Sequence, residues 1–322
     1  MKKMRIVYMG TPQFAVESLR ALVENNHRVV GVVTMPDKPI GKHQSTLQAS
    51  PVKQYAESVG LPVLQPVRLR DEAFLSQLSL LKADLQIVVA FRMLPETVWN
   101  MPPLGTFNLH ASLLPQYRGA APINWAVING ETETGLTTFF LAREMDTGKI
   151  ILQKRLPIAD SDDAGTLHDA LMTTGADLVL ETLQVIRSGK VNAIPQEQFF
   201  GDASELRPAP KIFKETCRID WHQPLKKIYD FVRGLSPSPA AWTEIVLPDG
   251  NRQMLKIFQA EKHPDTHSLP PGTLSTDTKS VVRIAVEGGF LGLISLQLAG
   301  KKRMNAVDFL NGFKSIHKAM VE

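Results

Sequence analysis

Short β-branched and apolar runs alternate with helical periodicities through residues 1–190, the pattern of a parallel sheet with helices on both faces. Residues 5–9 predict a strand closed by Gly10-Thr11-Pro12. Phe14, Ser18, Leu19, Leu22 and Val23 then lay a largely apolar face along a helix ending near Asn25-Asn26. Residues 29–34 stay apolar throughout, as a strand covered on both faces does, and residues 87–91, 106–110 and 135–141 repeat the strand signal. Leu167, Leu171, Leu178 and Ile186 mark a long helix over residues 165–187, with Gly189 as its terminator.

Two stretches break this alternation. Residues 36–51 hold three prolines and a glycine, with Lys38, Lys42, His43 and Lys53 on or beside them and no apolar period. A loop of this length inside a compact domain is a candidate for binding substrate. Residues 195–210 carry three prolines among polar residues and predict a linker. Beyond it the pattern is strand-rich: residues 242–247 and 253–258 flank an Asp249-Gly250 turn, and residues 281–286 and 290–296 flank Gly288-Gly289. Short helices near 225–232 and 306–313 flank these hairpins. The expected architecture is α/β, a doubly wound sheet with a small β-barrel-like domain attached: domain 1–190, linker 191–208 and domain 209–322.

Composition narrows the class. At 322 residues, 43% hydrophobic and 21% charged, the chain can bury a sizeable core without cross-links. Its one cysteine, Cys217, excludes an internal disulfide and a paired-cysteine zinc site, and points to the reducing cytoplasm. No apolar run approaches the roughly 20 residues that span a bilayer, and residues 1–5 lead into the first strand without a cleavage signal. Charge is uneven. Residues 1–205 hold 19 basic and 21 acidic side chains, residues 206–322 hold 17 and 11. The basic C-terminal third suits a polyanionic partner and equally suits plain solubility.

Ligands of open α/β sheets collect beyond the carboxyl ends of the strands. Gly10-Thr11-Pro12 at the first such end lacks the glycine spacing of a dinucleotide fingerprint, so a nicotinamide cofactor is not expected. The densest polar cluster is Asn108-Leu109-His110-Ala111-Ser112-Leu113-Leu114-Pro115. Asn108 and His110, two apart on a strand, leave the same face about 7 Å apart. The amide is a fixed donor and the imidazole can donate, accept or shuttle a proton, so the pair can hold an oxyanion and manage one proton. An Asn/His pair at a strand end is equally the pattern of an ordinary structural hydrogen bond. Asp146-Thr147-Gly148 reads as a turn cap, or, if the fold brings Asp146 to His110, as a carboxylate that orients the ring and draws a proton from an attacking amine through water. His27, His43 and His168 show no metal-ligand spacing, and no metal is expected. Tyr117, Trp125 and Trp221 are expected to pack in cores rather than stack on a ligand.

These residues carry a family resemblance. Asn108-x-His110, Ser112-Leu113-Leu114-Pro115, Arg118-Gly119-Ala120-Ala121-Pro122-Ile123 and Asp146-Thr147-Gly148 resemble the 10-formyltetrahydrofolate-dependent formyltransferases. The likeness runs along almost the whole chain, through Pro36-Asp37-Lys38-Pro39, Ser50-Pro51-Val52-Lys53, Ile219-Asp220-Trp221 and Leu298-Ala299-Gly300-Lys301-Lys302. It implies a Rossmann-like first domain and an OB-like barrel, with Asn108, His110 and Asp146 catalytic and Ser112, Leu113, Leu114 and Pro115 walling the folate. It further implies that the formyl group of 10-formyltetrahydrofolate passes to the α-amine of methionyl initiator tRNA, bound through Lys42 and the Lys301-Lys302-Arg303 cluster by a cytoplasmic monomer. A formyltransferase acting on an amino sugar or ribonucleotide, and a non-catalytic RNA-binding protein, are the alternatives. Two departures stand out: Gln44, Ser45 and Thr46 follow Lys42 and His43 where the family is richer in basic residues, and Phe91-Arg92-Met93-Leu94-Pro95 replaces a slightly longer segment beside the pterin pocket.

Overall fold

The computed structural model describes residues 3–40, 46–246, 250–313 and 320–321. The chain divides into two compact units, Met1–Gly119 with Thr134–Pro157 and His168–Pro208, and Ala120–Glu133 with Ile158–Leu167 and Ala209–Glu322.

The first unit is built on β1 (Arg5–Gly10), β2 (Arg28–Val33), a hairpin of β3 (Lys38–Ile40) and β4 (Thr46–Gln48), then β5 (Val63–Leu64), β6 (Leu85–Val89), β7 (Thr106–His110), β8 (Glu133–Phe140) and β9 (Ile150–Pro157). The sheet order is β5-β2-β1-β6-β7-β8-β9. The strands from β5 to β7 are parallel and β8 runs antiparallel to β7. This is the doubly wound, Rossmann-like sheet expected from the alternating pattern. Ile6, Val7, Tyr8 and Met9 are fully buried, as a strand covered on both faces requires, and the Tyr8 hydroxyl donates to the Ala15 carbonyl of α1 (Phe14–Glu24).

Helices α2 (Pro51–Ser58), α3 (Glu72–Leu80) and α4 (Glu96–Trp99) follow in chain order. Ser50 and Asp71 cap α2 and α3 by accepting backbone N–H bonds from Lys53 and from Ala73 and Phe74. The long loop therefore ends in a helix and contains a hairpin, both beyond the reach of apolar periodicity. The expected linker also differs. Residues 195–208 pack into the first unit, where Ile194 bridges to Ile150 and the Tyr117 N–H donates to the Arg207 carbonyl. Prolines in this stretch set turns against a folded surface.

The second unit takes α5 (Pro122–Ile128) and the start of α6 (Ala164–Arg187) from the first 190 residues and adds α7 (Leu225–Leu235). Strands β10 (Ala241–Val246), β11 (Arg252–Pro264), β12 (Leu274–Thr276), β13 (Val282–Val286), β14 (Gly289–Leu298), β15 (Met304–Asn305) and β16 (Met320–Val321), with α8 (Ala306–Gly312) before the last, complete it. The order β12-β13-β14-β11-β10-β16 is antiparallel where paired, and a Thr273–Met320 bridge brings its ends together into a nearly closed barrel. Trp221 is buried in its core and donates through Nε1 to Thr243 Oγ1 at 2.9 Å.

Candidate active site

The strand order reverses between β1 and β6, so the crevice of a doubly wound sheet opens beyond their carboxyl ends. Strand β7 lies beside β6, with Asn108 opposite Val88 on one side and Phe139 on the other, and Asn108 and His110 stand at its carboxyl end. Asn108 is half-buried, and its amide has no hydrogen-bond partner among the described residues.

His110 is buried. Its Nε2 lies 2.9 Å from the Tyr117 carbonyl oxygen, and its Nδ1 lies 4.0 Å from Asp146 Oδ2. A carbonyl only accepts, so Nε2 carries the proton and, in the neutral ring, Nδ1 presents a lone pair to the carboxylate. Two acceptors thus face each other across a gap too wide for a direct hydrogen bond. A donor placed between them satisfies both.

Asp146 reaches this position through an unusual backbone. Its φ is +55°, the left-handed region that costs a non-glycine residue about 1–2 kcal/mol. Oδ2 accepts from the Gly119 N–H at 3.0 Å. The Asp146 carbonyl accepts from Gln196 Nε2 at 2.8 Å, and the Gly148 carbonyl accepts from the same nitrogen at 2.9 Å. Gly148 is required by packing, because a Cβ there would stand 1.6 Å from the Phe140 carbonyl oxygen. Asp146-Thr147-Gly148 is thus a turn that also brings the Asp146 carboxylate to within 4.0 Å of His110.

The run after His110 is locked rather than open. Ser112 Oγ donates to the Gln116 carbonyl at 2.6 Å, Thr137 Oγ1 donates to the Ser112 carbonyl, and Gln153 Nε2 donates to the Leu114 carbonyl. Ser112, Leu114 and Pro115 are buried, Leu114 against Phe139 and Ile150, while Leu113 is half-buried. Among the departures noted in the sequence, Arg92 donates to the Pro66 and Val67 carbonyls, and burial lowers its pKa from the usual arginine range. Tyr117 is buried, as a packing residue is, whereas Trp125 is only half-buried and donates through Nε1 to the Pro210 carbonyl.

In the barrel, Lys301, Lys302 and Arg303 are exposed on the turn between β14 and β15. Arg303 lies 4.4 Å over the Phe258 ring and donates through Nε to Ser295 Oγ, which fixes its direction. Lys42 lies outside the described residues. Among the described residues no three His, Cys, Asp or Glu side chains are grouped to hold a metal ion, and no helix is long and apolar enough to cross a membrane. Gln196, the buried amide behind Asp146, escapes sequence reasoning: a glutamine after a proline in a polar stretch carries no periodic or motif signal.

Residues 3–183 match the Formyl transferase family, and residues 211–314 match the Formyl transferase, C-terminal domain family. The chain is 72% identical over 318 residues to a methionyl-tRNA formyltransferase of Parabacteroides distasonis, covering 98% of each. It is 50% identical to one of Flavobacterium johnsoniae, with both chains covered in full. Among solved structures it superposes on HypX from Aquifex aeolicus in complex with tetrahydrofolic acid, with TM-score 0.65 and 19% identity over 97% of this chain and 48% of that one. An N-formyltransferase from Helicobacter canadensis gives TM-score 0.61 and 17% identity over 94% and 100% of the two chains. With both halves matched and relatives this close along its full length, the chain belongs to the formyl transferase family.

Proposed function

We propose that this chain transfers the formyl group of 10-formyltetrahydrofolate to the free α-amino group of methionyl initiator tRNA, with Asn108, His110 and Asp146 as its catalytic residues. Relatives at 50–72% identity, matched end to end, are methionyl-tRNA formyltransferases, which supports this acceptor over an amino sugar or ribonucleotide. The observation that carries the chemistry is the 4.0 Å gap between His110 Nδ1 and Asp146 Oδ2. It is a place for the N–H of an attacking amine or a bridging water.

The amine must be neutral to attack, and an α-amino group with a pKa near 8 supplies that form at neutral pH. The folate, when bound, supplies the formyl carbon. As nitrogen approaches that carbon, charge develops on the formyl oxygen, and the Asn108 amide, otherwise unpartnered among the described residues, donates to it. The new C–N bond forms, and the amine gives its proton to the His110–Asp146 pair directly or through water. That proton then passes to the departing folate nitrogen as its C–N bond breaks, so nothing remains on the enzyme. The Tyr117 carbonyl holds the ring in the required tautomer throughout. Residues 112–115 border the folate, with Leu113 at the surface of the wall and buried Ser112, Leu114 and Pro115 shaping it. Lys301, Lys302 and Arg303 contact tRNA phosphates, Lys42 joins them from the long loop, and the enzyme works as a cytoplasmic monomer with its catalytic residues in the first unit and its tRNA-binding barrel in the second.

One assay tests the reading. Labelled 10-formyltetrahydrofolate is offered with charged initiator tRNA, uncharged tRNA and small amines. Label is expected on the charged tRNA alone; label on a small amine, or on nothing while tRNA still binds, overturns it.

A further inference from the structure

Three consecutive residues hold the site together, each in a different way. The Tyr117 carbonyl accepts from His110 Nε2, the Gly119 N–H donates to Asp146 Oδ2, and between them the Arg118 guanidinium donates through Nε and Nη2 to Gln196 Oε1 at 3.0 and 2.6 Å. Gln196 closes the circuit. Its Nε2 donates to the carbonyls of Asp146 and Gly148. The ring runs from Gly119 to the Asp146 carboxylate, through the Asp146 main chain to the Gln196 amide, and back through Arg118 to Gly119. Three distant segments are cross-linked on one side of the gap that faces His110.

The side chain at 196 is narrowly specified. It is completely buried, so each of its polar atoms needs a partner. Carbonyls only accept and a guanidinium only donates, which fixes the amide with nitrogen toward the Asp146 loop and oxygen toward Arg118. Glutamate would turn an acceptor onto two carbonyls, asparagine is one methylene short, and methionine fills the space without either bond. Asp146 has positive φ and stands against His110 without bonding to it, so its carboxylate holds its place only if its main chain is pinned.

We infer that Gln196, with Arg118 behind it, is a positioning residue for formyl transfer: it sets the Asp146 carboxylate across from His110 Nδ1. This rests on the proposed catalytic role of Asp146. A displacement of about 1 Å in such a group costs on the order of 100-fold in rate, without a comparable change in substrate affinity.

The test is a double-mutant cycle on the full-length enzyme, with kcat and KM for both substrates and the thermal midpoint of each variant. Gln196→Met is expected to lower kcat about 10- to 100-fold and to leave each KM within about 3-fold. In an Asp146→Asn background, assayed with enzyme in excess, the same change is expected to cost less than about 2-fold, because its effect passes through the carboxylate already removed. Losses that multiply in the two backgrounds, a kcat unchanged by Gln196→Met, or an effect confined to KM would overturn the inference. Full activity in Asp146→Asn alone would instead overturn the role of Asp146 itself. If Gln196→Met shows no cooperative unfolding, Arg118→Lys, which keeps the charge but loses the two-pronged contact, replaces it in the same cycle with a smaller kcat loss and the same dependence on Asp146 expected.

Discussion

Gly148 is specified by a single missing carbon. A Cβ there collides with the Phe140 carbonyl oxygen, so Gly148→Ala must push the loop carrying Asp146 away from β8. We expect a destabilisation of about 1–3 kcal/mol in thermal unfolding and a larger fall in kcat than the stability loss explains. Asn108→Ala removes a donor with no structural partner among the described residues, so it should leave the melting temperature within a degree or two while kcat falls about 100-fold. A kcat within about 3-fold of the parent would remove Asn108 from the mechanism. In the sequence Asn108 and His110 stand out as two polar side chains on one strand face, and Asp146 joins them only through the family resemblance. Their supports do not stand out. Gln196, the Tyr117 carbonyl and the Gly119 N–H act through bonds between positions 7 to 78 residues apart, and two of the three are main-chain groups that carry no mark of residue type.

Elements with a strong period are read closely: residues 106–110 are strand β7 itself, and the predicted 165–187 helix is α6 less its first residue. Strand β9 escapes because it mixes Gln153, Lys154 and Arg155 into its middle, and α3 because nine residues give only about two and a half turns of pattern. The long loop hides an anchor as well. Asp37, just before β3, accepts from Lys53 Nζ at 2.6 Å and from Gln65 Nε2 at 2.7 Å, tying the base of the β3–β4 hairpin to α2. The Lys53 and Gln65 bonds hold the Asp37 carboxyl below its usual range, and the Asp37 bond raises Lys53 above its own. The depressed carboxyl stabilises the fold above its unfolded pKa and ceases to as pH falls through the folded value; the raised ammonium does so below its unfolded pKa and ceases to as pH rises through the folded value. The anchor is therefore complete between about pH 4 and pH 10. Hydrogen-exchange protection of the Lys38 and Gln48 amides is expected to drop below that window, and at neutral pH in Lys53→Met. Protection that survives the substitution would separate the hairpin from the ion pair.

Across the whole molecule, the basic excess belongs to the stretch 206–322 rather than to the second unit as a whole, because residues 120–133 and 158–167 bring Glu131, Glu133, Asp160, Asp162 and Asp163 to that unit. If Lys301 and Lys302 meet tRNA phosphates, replacing both with alanine lowers the slope of log affinity against log salt by about 1.5, at roughly 0.7–0.9 for each phosphate no longer neutralised. An unchanged slope assigns them to solvent. Arg303→Ala is expected to cost barrel stability too, because its guanidinium packs on Phe258 and bonds Ser295. The resemblance and the sheet pattern make the two-part architecture legible, yet the parts are not successive stretches of chain. Helix α5 belongs with the barrel, where the Asn124 amide donates to the Gly234 carbonyl and a Cβ on Gly234 would strike Ile128.

That intimacy between α5 and α7 bears on how the protein can be taken apart or recombined. A fragment beginning at Ala209 would lack the helix that covers α7, leaving a greasy seam open to water, and a fragment ending at Pro208 would carry an orphaned helix with nothing to lie against. Exchanging barrels between relatives by a single crossover near residue 208 would pair one parent's α5 with the other's α7 and should lower the melting temperature, whereas grafts that carry residues 120–133 and 158–167 along with the barrel keep that pairing and should not.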